Sequence, residues 1–193
     1  MSKLYAFNKK RLIASFIDLG GIILYALMLL GVSFTTFWIS RNTPKLSLNN
    51  AHLLGFLTLT LPVTTYFIVS EFKYGVTPGK RFAGLKVSSC NGRKLTLIQV
   101  IVRNIIKFLP WEYAHILIYI LLLAPNSTDS IPVLFGLIIA NIIPIIYVYF
   151  VLFGKDHRGP HDLISGTIVN TLINKINSSC VKDDKSQNFI NPK

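Results

Sequence analysis

Few side chains in this sequence can do chemistry, and the most unusual is an acid. Asp18 lies seven residues after Arg11, about two helical turns on, so the two share nearly one face of a helix. The surrounding stretch, 12–39, contains no Lys or Arg and is rich in Leu, Ile and Phe. An acid inside a membrane helix costs about 2.5–3.5 kcal/mol on the insertion scale, whereas each large apolar residue returns about 0.3–0.6. Insertion is therefore assured, and two roles stay open for Asp18. It either exchanges a proton or binds a cation, with Arg11 as counter-charge, or it is a static clamp that locks helix packing.

Other constellations fall short of a catalytic or metal site. Gly75, Gly79 and Lys80 lack one intervening residue and the following hydroxyl of a phosphate loop, so ATP hydrolysis is not expected. His157 and His161 stand near Asp156 and Asp162, but Gly159-Pro160 breaks the helix that would align them on a metal. Cys90 and Cys180 are too few and too far apart for a disulfide framework or a zinc site. The expectation is a protein that is not an enzyme and carries no cofactor or metal. His52 and His115 read as packing groups, and Glu112 beside Trp111 reads as interfacial. Thr58, Thr60, Thr64 and Thr65 with Pro62, and Asn141 with Pro144, read as structural features of their helices rather than a pathway.

The elements that position these residues follow from hydropathy. Charged residues make up 15% of the 193 and apolar ones 51%, with a mean hydropathy of +0.51. A soluble domain usually carries about 25% charged residues, so a water-facing enzyme is disfavoured. A bilayer core of roughly 30 Å needs about 20 helical residues. Four stretches qualify as spans, at 12–36, 51–70, 108–124 and 132–153, and Pro125 to Ser130 reads as the turn joining the last two. The 20 basic residues are then distributed eighteen to two between the two sides. Because Lys and Arg in short loops stay cytoplasmic, both termini are placed inside. The net charge of +12 reads as a topology signal and a match to anionic lipid headgroups, not as nucleic-acid binding, for which no recognition motif is present.

The fold class is thus an all-α polytopic membrane protein of four transmembrane helices, with a small cytoplasmic β-hairpin and an amphipathic interfacial helix. The hairpin falls in the loop at 71–95, where the alternation at Leu85-Lys86-Val87 and the run Lys94 to Leu97 flank Asn91-Gly92, a strong turn signal. Thr167-Ile168-Val169 is expected to add a strand to it. Thr96 and Gln99 have capping-box spacing, which starts a helix over 96–107. Gln99, Arg103 and Lys107 form its narrow polar stripe, with Arg103 and Lys107 against lipid headgroups whether the helix lies along the surface or is a plain elbow into the third span. The segment 154–173 follows the last span, and 174–193 reads as a disordered tail.

In combination these residues resemble the RDD family of membrane proteins, named for one arginine and two aspartates. Arg11 and Asp18 match the first two, and Asp162, in a His-Asp-x-x-x-x-Thr pattern ending at Thr167, looks like the third. Thr77, Pro78, Gly79 and Lys80, with Arg103-Asn104, look like the family's loop signature. The resemblance implies a transporter of the cell (inner) membrane, with Na+/H+ exchange associated with some similar proteins, and it assigns the ion to Asp18. For Asp162, outside the bilayer, a structural role is expected, as a cap or as the partner of a basic residue such as Arg103. Four short helices make a thin pathway, so a homo-oligomer is expected. The alternative is a non-transporting scaffold or assembly factor that binds a partner or anionic lipid through its basic cytoplasmic elements.

Overall fold

A computed structural model describes residues 2–41, 46–91, 93–123, 130–154 and 158–171. The tail at 174–193, most of the turn at Pro125 to Ser130, Gly92, Asp156 and His157 lie outside them. Four rods dominate: α1 (Ser2–Ser40), the rod of α2 (Leu48–Gly55), a π-helical turn (Phe56–Thr60) and α3 (Leu61–Tyr74), then α5 (Leu97–Leu123) and α6 (Ser130–Phe153). Each is long and apolar enough to cross a membrane. Their apolar windows are only 6 to 17% buried within the chain. Phe16, Leu24, Trp38 and Ile145 are each more than 60% exposed, which is stable only where lipid or protein covers them.

The short elements gather at one end of the bundle, here termed the basic end. Gly75, at φ +71, ends α3 by donating its N–H to the Glu71 carbonyl at 2.8 Å. Thr77 then caps α4 (Pro78–Phe82), with Pro78 in the first turn, where a missing N–H costs nothing. Strand β1 (Leu85–Ser89) follows, and after α6 come α7 (Pro160–Ile164) and β2 (Thr167–Thr171). The two strands pair antiparallel, with Val87 opposite Val169. A small apolar core of Ala14, Ala83, Leu85, Val87 and Val169 fastens them to α1.

Two expectations change in detail. The small antiparallel β element forms, but the partner of β1 is 167–171, while Lys94 to Thr96 is irregular chain leading into α5. The capping box at Thr96 and Gln99 is present, with Gln99 N–H to Thr96 Oγ1 at 3.3 Å and Thr96 N–H to Gln99 Oε1 at 3.1 Å. The helix it starts, however, does not stop at 107. Interfacial helix and third span are one rod of 27 residues.

Prolines shape the rods, and tyrosines compensate for them. Pro62 cannot donate to the Thr58 carbonyl four residues back, and the adjoining Leu61 N–H bonds Phe56 instead, five back, which makes the π turn. The freed Thr58 carbonyl accepts the Tyr25 hydroxyl of α1 at 2.8 Å. Pro110 likewise frees the Ile106 carbonyl, which accepts the Tyr147 hydroxyl of α6 at 3.2 Å. Each proline defect thereby becomes a joint between neighbouring rods.

Candidate functional site

Polar side chains collect at two levels of the bundle. At the basic end, Glu71 on the last turn of α3 is fully buried. One carboxylate oxygen takes the Lys80 ammonium of α4, and the other takes the Asn104 amide of α5 at 3.0 Å and lies 3.2 Å from Arg103 Nε. Arg103, only 2% exposed, reaches past Glu71 to Asp162 of α7 and donates to Thr167 Oγ1 at 3.0 Å. Asp162 is fully buried as well; it accepts from the Gly159 N–H at 3.2 Å, capping α7, and from Arg11 of α1 at 2.9 Å. Lys80, Glu71, Arg103, Asp162 and Arg11 thus alternate in sign along one chain of contacts that ties α1, α3, α4, α5 and α7 together. Burial is sustainable because each carboxylate meets two cations as well as neutral donors.

Burial pushes the Lys80 ammonium below its usual range, with Glu71 offsetting part of the effect. His161 is pushed well below its usual range, first by burial and then by the positive charges of Arg103, Lys107, Arg11 and Lys80. It is therefore a neutral imidazole, lying against Tyr147 at 5.8 Å between ring centroids.

Asp18 is placed differently from its expected pairing with Arg11, whose ion pair is made with Asp162. One Asp18 oxygen accepts the Thr77 hydroxyl at 2.5 Å and the other the Gly79 N–H at 2.9 Å. The carboxylate thus docks onto the first turn of α4, where unpaired N–H groups favour an anion. Gly79 is required there, because a Cβ would collide with the Ala14 carbonyl oxygen and stand 2.8 Å from Asp18 Oδ1. This geometry is that of a clamp, although Asp18 also lines a cavity.

Arg103 and Lys107, on one stripe with Gln99, were expected to touch lipid headgroups, and the structure turns the stripe inward. Gln99 bonds Ser89 and the Gly166 carbonyl, at 3.1 and 3.3 Å. Arg103 is consumed by the acids, and the Lys107 ammonium lies over the Phe67 ring at 4.1 Å. Pro78 stays exposed beside these residues.

The second level lies deeper. Glu112 is the sixteenth residue of α5, about 22 Å along a rod of about 40 Å. Its Oε1 is 2.8 Å from His52 Nε2 on α2, and its Oε2 accepts the Thr60 hydroxyl at 2.6 Å. A cavity of about 540 Å³ joins the levels, with Asp18 and Lys107 at its basic end, Thr60 and His115 toward the other, and Thr64 and Asn141 in its walls.

Sequence reasoning missed the roles of Glu71 and Glu112. Glu71 was legible in principle: a charged stripe on a helix apolar elsewhere needs counter-charges, and the chain has only eight acids to supply them. The model of the RDD family matches residues 5–166. The chain belongs to the RDD family. In this RDD protein the arginine and second aspartate suggested by the family's name, Arg11 and Asp162, are bonded to one another, and the first, Asp18, fastens α4 to α1. No curated protein and no solved structure matches the chain.

Proposed function

We propose that this RDD protein is a small transporter of the cell (inner) membrane that couples movement of a monovalent cation to that of a proton, with both termini cytoplasmic. The observation that carries the reading is the cavity between the rods. It has a carboxylate and an ammonium, Asp18 and Lys107, at the basic end, and an imidazole, His115, toward the other, with hydroxyl and amide groups between. Ionisable groups around an interior cavity at membrane depth are costly unless they serve a path for charge. Asp18 is the cation-facing group at the basic end, held in place by Thr77 and Gly79. Arg11 acts on it indirectly, by fixing α1 to α7 through Asp162.

Anionic headgroups remain the natural lipid partner, through other residues than Arg103 and Lys107. Lys9, Lys10, Lys73, Lys86, Arg93 and Lys94 are exposed around the basic end, where a negative leaflet attracts them. The same exposed ring favours the second reading, a scaffold that docks a cytoplasmic partner. Apolar flanks this exposed also fit a homo-oligomer.

The test is cation-driven proton flux in sealed vesicles holding the purified protein, comparing wild type with Asp18→Asn. Transport predicts flux in wild type that the substitution reduces at least tenfold. Absence of flux in wild type, with a partner captured through the basic end, favours the scaffold.

A further inference from the structure

A second cavity, of about 230 Å³, lies at the basic end between α1, α4, α5, α6 and α7. Arg11, Lys80, Arg103 and Lys107 line it, and among the described residues Asp18 is the only acid in its wall. Both Asp18 oxygens are already taken, by the Thr77 hydroxyl and the Gly79 N–H, which hold that carboxylate against α4. Glu71 and Asp162 stand behind the wall, each shared between two cations. Four cations against three carboxylates leave one positive charge over, and it falls on Lys107. Among the described residues the half-buried Lys107 ammonium makes no ion pair and no hydrogen bond; it lies over the rings of Phe67 and Phe108, at 4.1 and 5.2 Å. A ring face returns less than an ammonium loses when most of its water is stripped away, so the cluster is short of a counter-charge.

The rest of the wall decides what kind of anion fits. The Ser15 and Tyr147 hydroxyls are spent on the Arg11 and Ile106 carbonyls, so the donors that remain are carried chiefly by cations, which disfavours a neutral polar ligand. His161 lines the same space, and its Nδ1 is buried without a hydrogen-bond partner among the described residues, a donor for a bound oxygen in the tautomer that protonates it. Guanidinium and ammonium groups around one space suit an oxyanion with several acceptor oxygens, above all a phosphoryl group, which a guanidinium meets through two N–H bonds. Leu12 of α1 and Val148 and Val151 of α6 add an apolar wall. Ser15 and Val148 are exposed while lining the cavity, so it opens on the flank between α1 and α6. Its volume is below the roughly 300–1,000 Å³ of sites for drug-sized ligands, so the occupant is small or enters by one end.

We infer that this cavity binds one phosphoryl oxyanion, free in solution or at the head of a lipid that reaches in between α1 and α6, with Lys107 as the cation it chiefly neutralises. The site is separate from the exposed ring of lysines, and it does not depend on transport.

The probe is inorganic phosphate, added to the full chain in a non-ionic detergent, with chloride at equal ionic strength as the control. Phosphate should raise the midpoint of thermal unfolding, since a ligand of the folded state stabilises it. Lys107→Gln should weaken the apparent affinity at least about tenfold, and so should Val148→Trp, which fills the cavity and leaves every charge in place; Lys9→Gln, on the exposed ring, should not. Val148→Trp keeps the site testable if Lys107→Gln fails to fold. Native mass spectrometry of the purified chain separates the sources. A phosphate response in a chain that retains no phospholipid assigns the group to a free anion. A phospholipid retained by wild type and lost from Val148→Trp, with no response to phosphate, assigns it to lipid. Equal shifts from phosphate and chloride, a phosphate response that Lys107→Gln and Val148→Trp both leave intact, or neither a phosphate response nor a retained phospholipid, overturns the site.

Discussion

Replacing Glu71 by Gln removes one negative charge from a carboxylate with no solvent exposure while keeping its shape. With the amide oxygen in the place of Oε2 the Asn104 bond survives, while the amide NH2 faces the Lys80 ammonium, so the substitution removes the charge and one acceptor together. Lys80 is then left buried without its carboxylate, and Arg103 keeps only Asp162. Stranding a buried charge costs about 3–5 kcal/mol, against about 0.2–1 for an exposed pair. Thermal unfolding in lipid–detergent micelles should therefore place Glu71→Gln about 3 kcal/mol or more below wild type. Adding Lys80→Met removes the stranded ammonium, so the double variant should recover part of the loss, with a coupling of about 1–3 kcal/mol. Titration gives a second reading. Burial already depresses Lys80, and Glu71 is the chief group holding it up. In Glu71→Gln it falls further, so between that lower value and the ordinary value of 10.5 the unfolded chain binds more protons. Stability then rises with pH, and the deficit should be smaller near pH 9 than at pH 7. A loss under about 1 kcal/mol with additive double-variant energies would refute the idea that a buried alternating charge chain holds the basic end together.

Gly79→Ala should cost about 1–3 kcal/mol and loosen α4, because the new methyl meets the Ala14 carbonyl and Asp18; protease cleavage between α3 and β1 should quicken, and an unchanged rate would argue against the clamp. Tyr147→Phe leaves the Ile106 carbonyl freed by Pro110 without its hydroxyl donor, and should lower the midpoint of thermal unfolding by about 1–3 kcal/mol worth of stability, whereas equal stability would mean another donor takes over. His161 has a folded pKa well below 6.5, so the unfolded chain takes the proton first as pH falls. Wild-type stability should decline below about pH 6.5, by up to about 1.4 kcal/mol per pH unit, and His161→Gln should flatten that slope.

Hydropathy and charge bias made the four rods and the shared basic end legible, and Thr96 with Gln99 marked the start of α5. What stayed hidden depended on neighbours. The stripe of Gln99, Arg103 and Lys107 identified a polar face but not what it faces, since periodicity reads the same against headgroups and against Glu71. The partners of Glu112, His52 and Thr60, come from α2 and the π turn, far off in sequence. With Arg103 and Lys107 neutralised or covered by Glu71, Asp162 and Phe67, the helix runs through them as one rod. Asn91-Gly92 is a local turn signal, while the strand that pairs with Leu85–Ser89 comes from after α6 and rests on burying Val87 and Val169 together. The π turn at Phe56–Thr60, which brings Thr60 onto Glu112, has Pro62 as its one local sign.

The most direct test of the account is whether charge passes through the cavity between the rods. Thr64→Phe places a ring in its wall at a residue that bonds none of Glu71, Asp162, Asp18 and Glu112, so the ionic chain keeps its members. In sealed vesicles the account predicts sodium-driven proton release by wild type and a loss of at least tenfold in Thr64→Phe at equal thermal stability. Equal rates in the two proteins, or no release above protein-free vesicles from wild type, would contradict it.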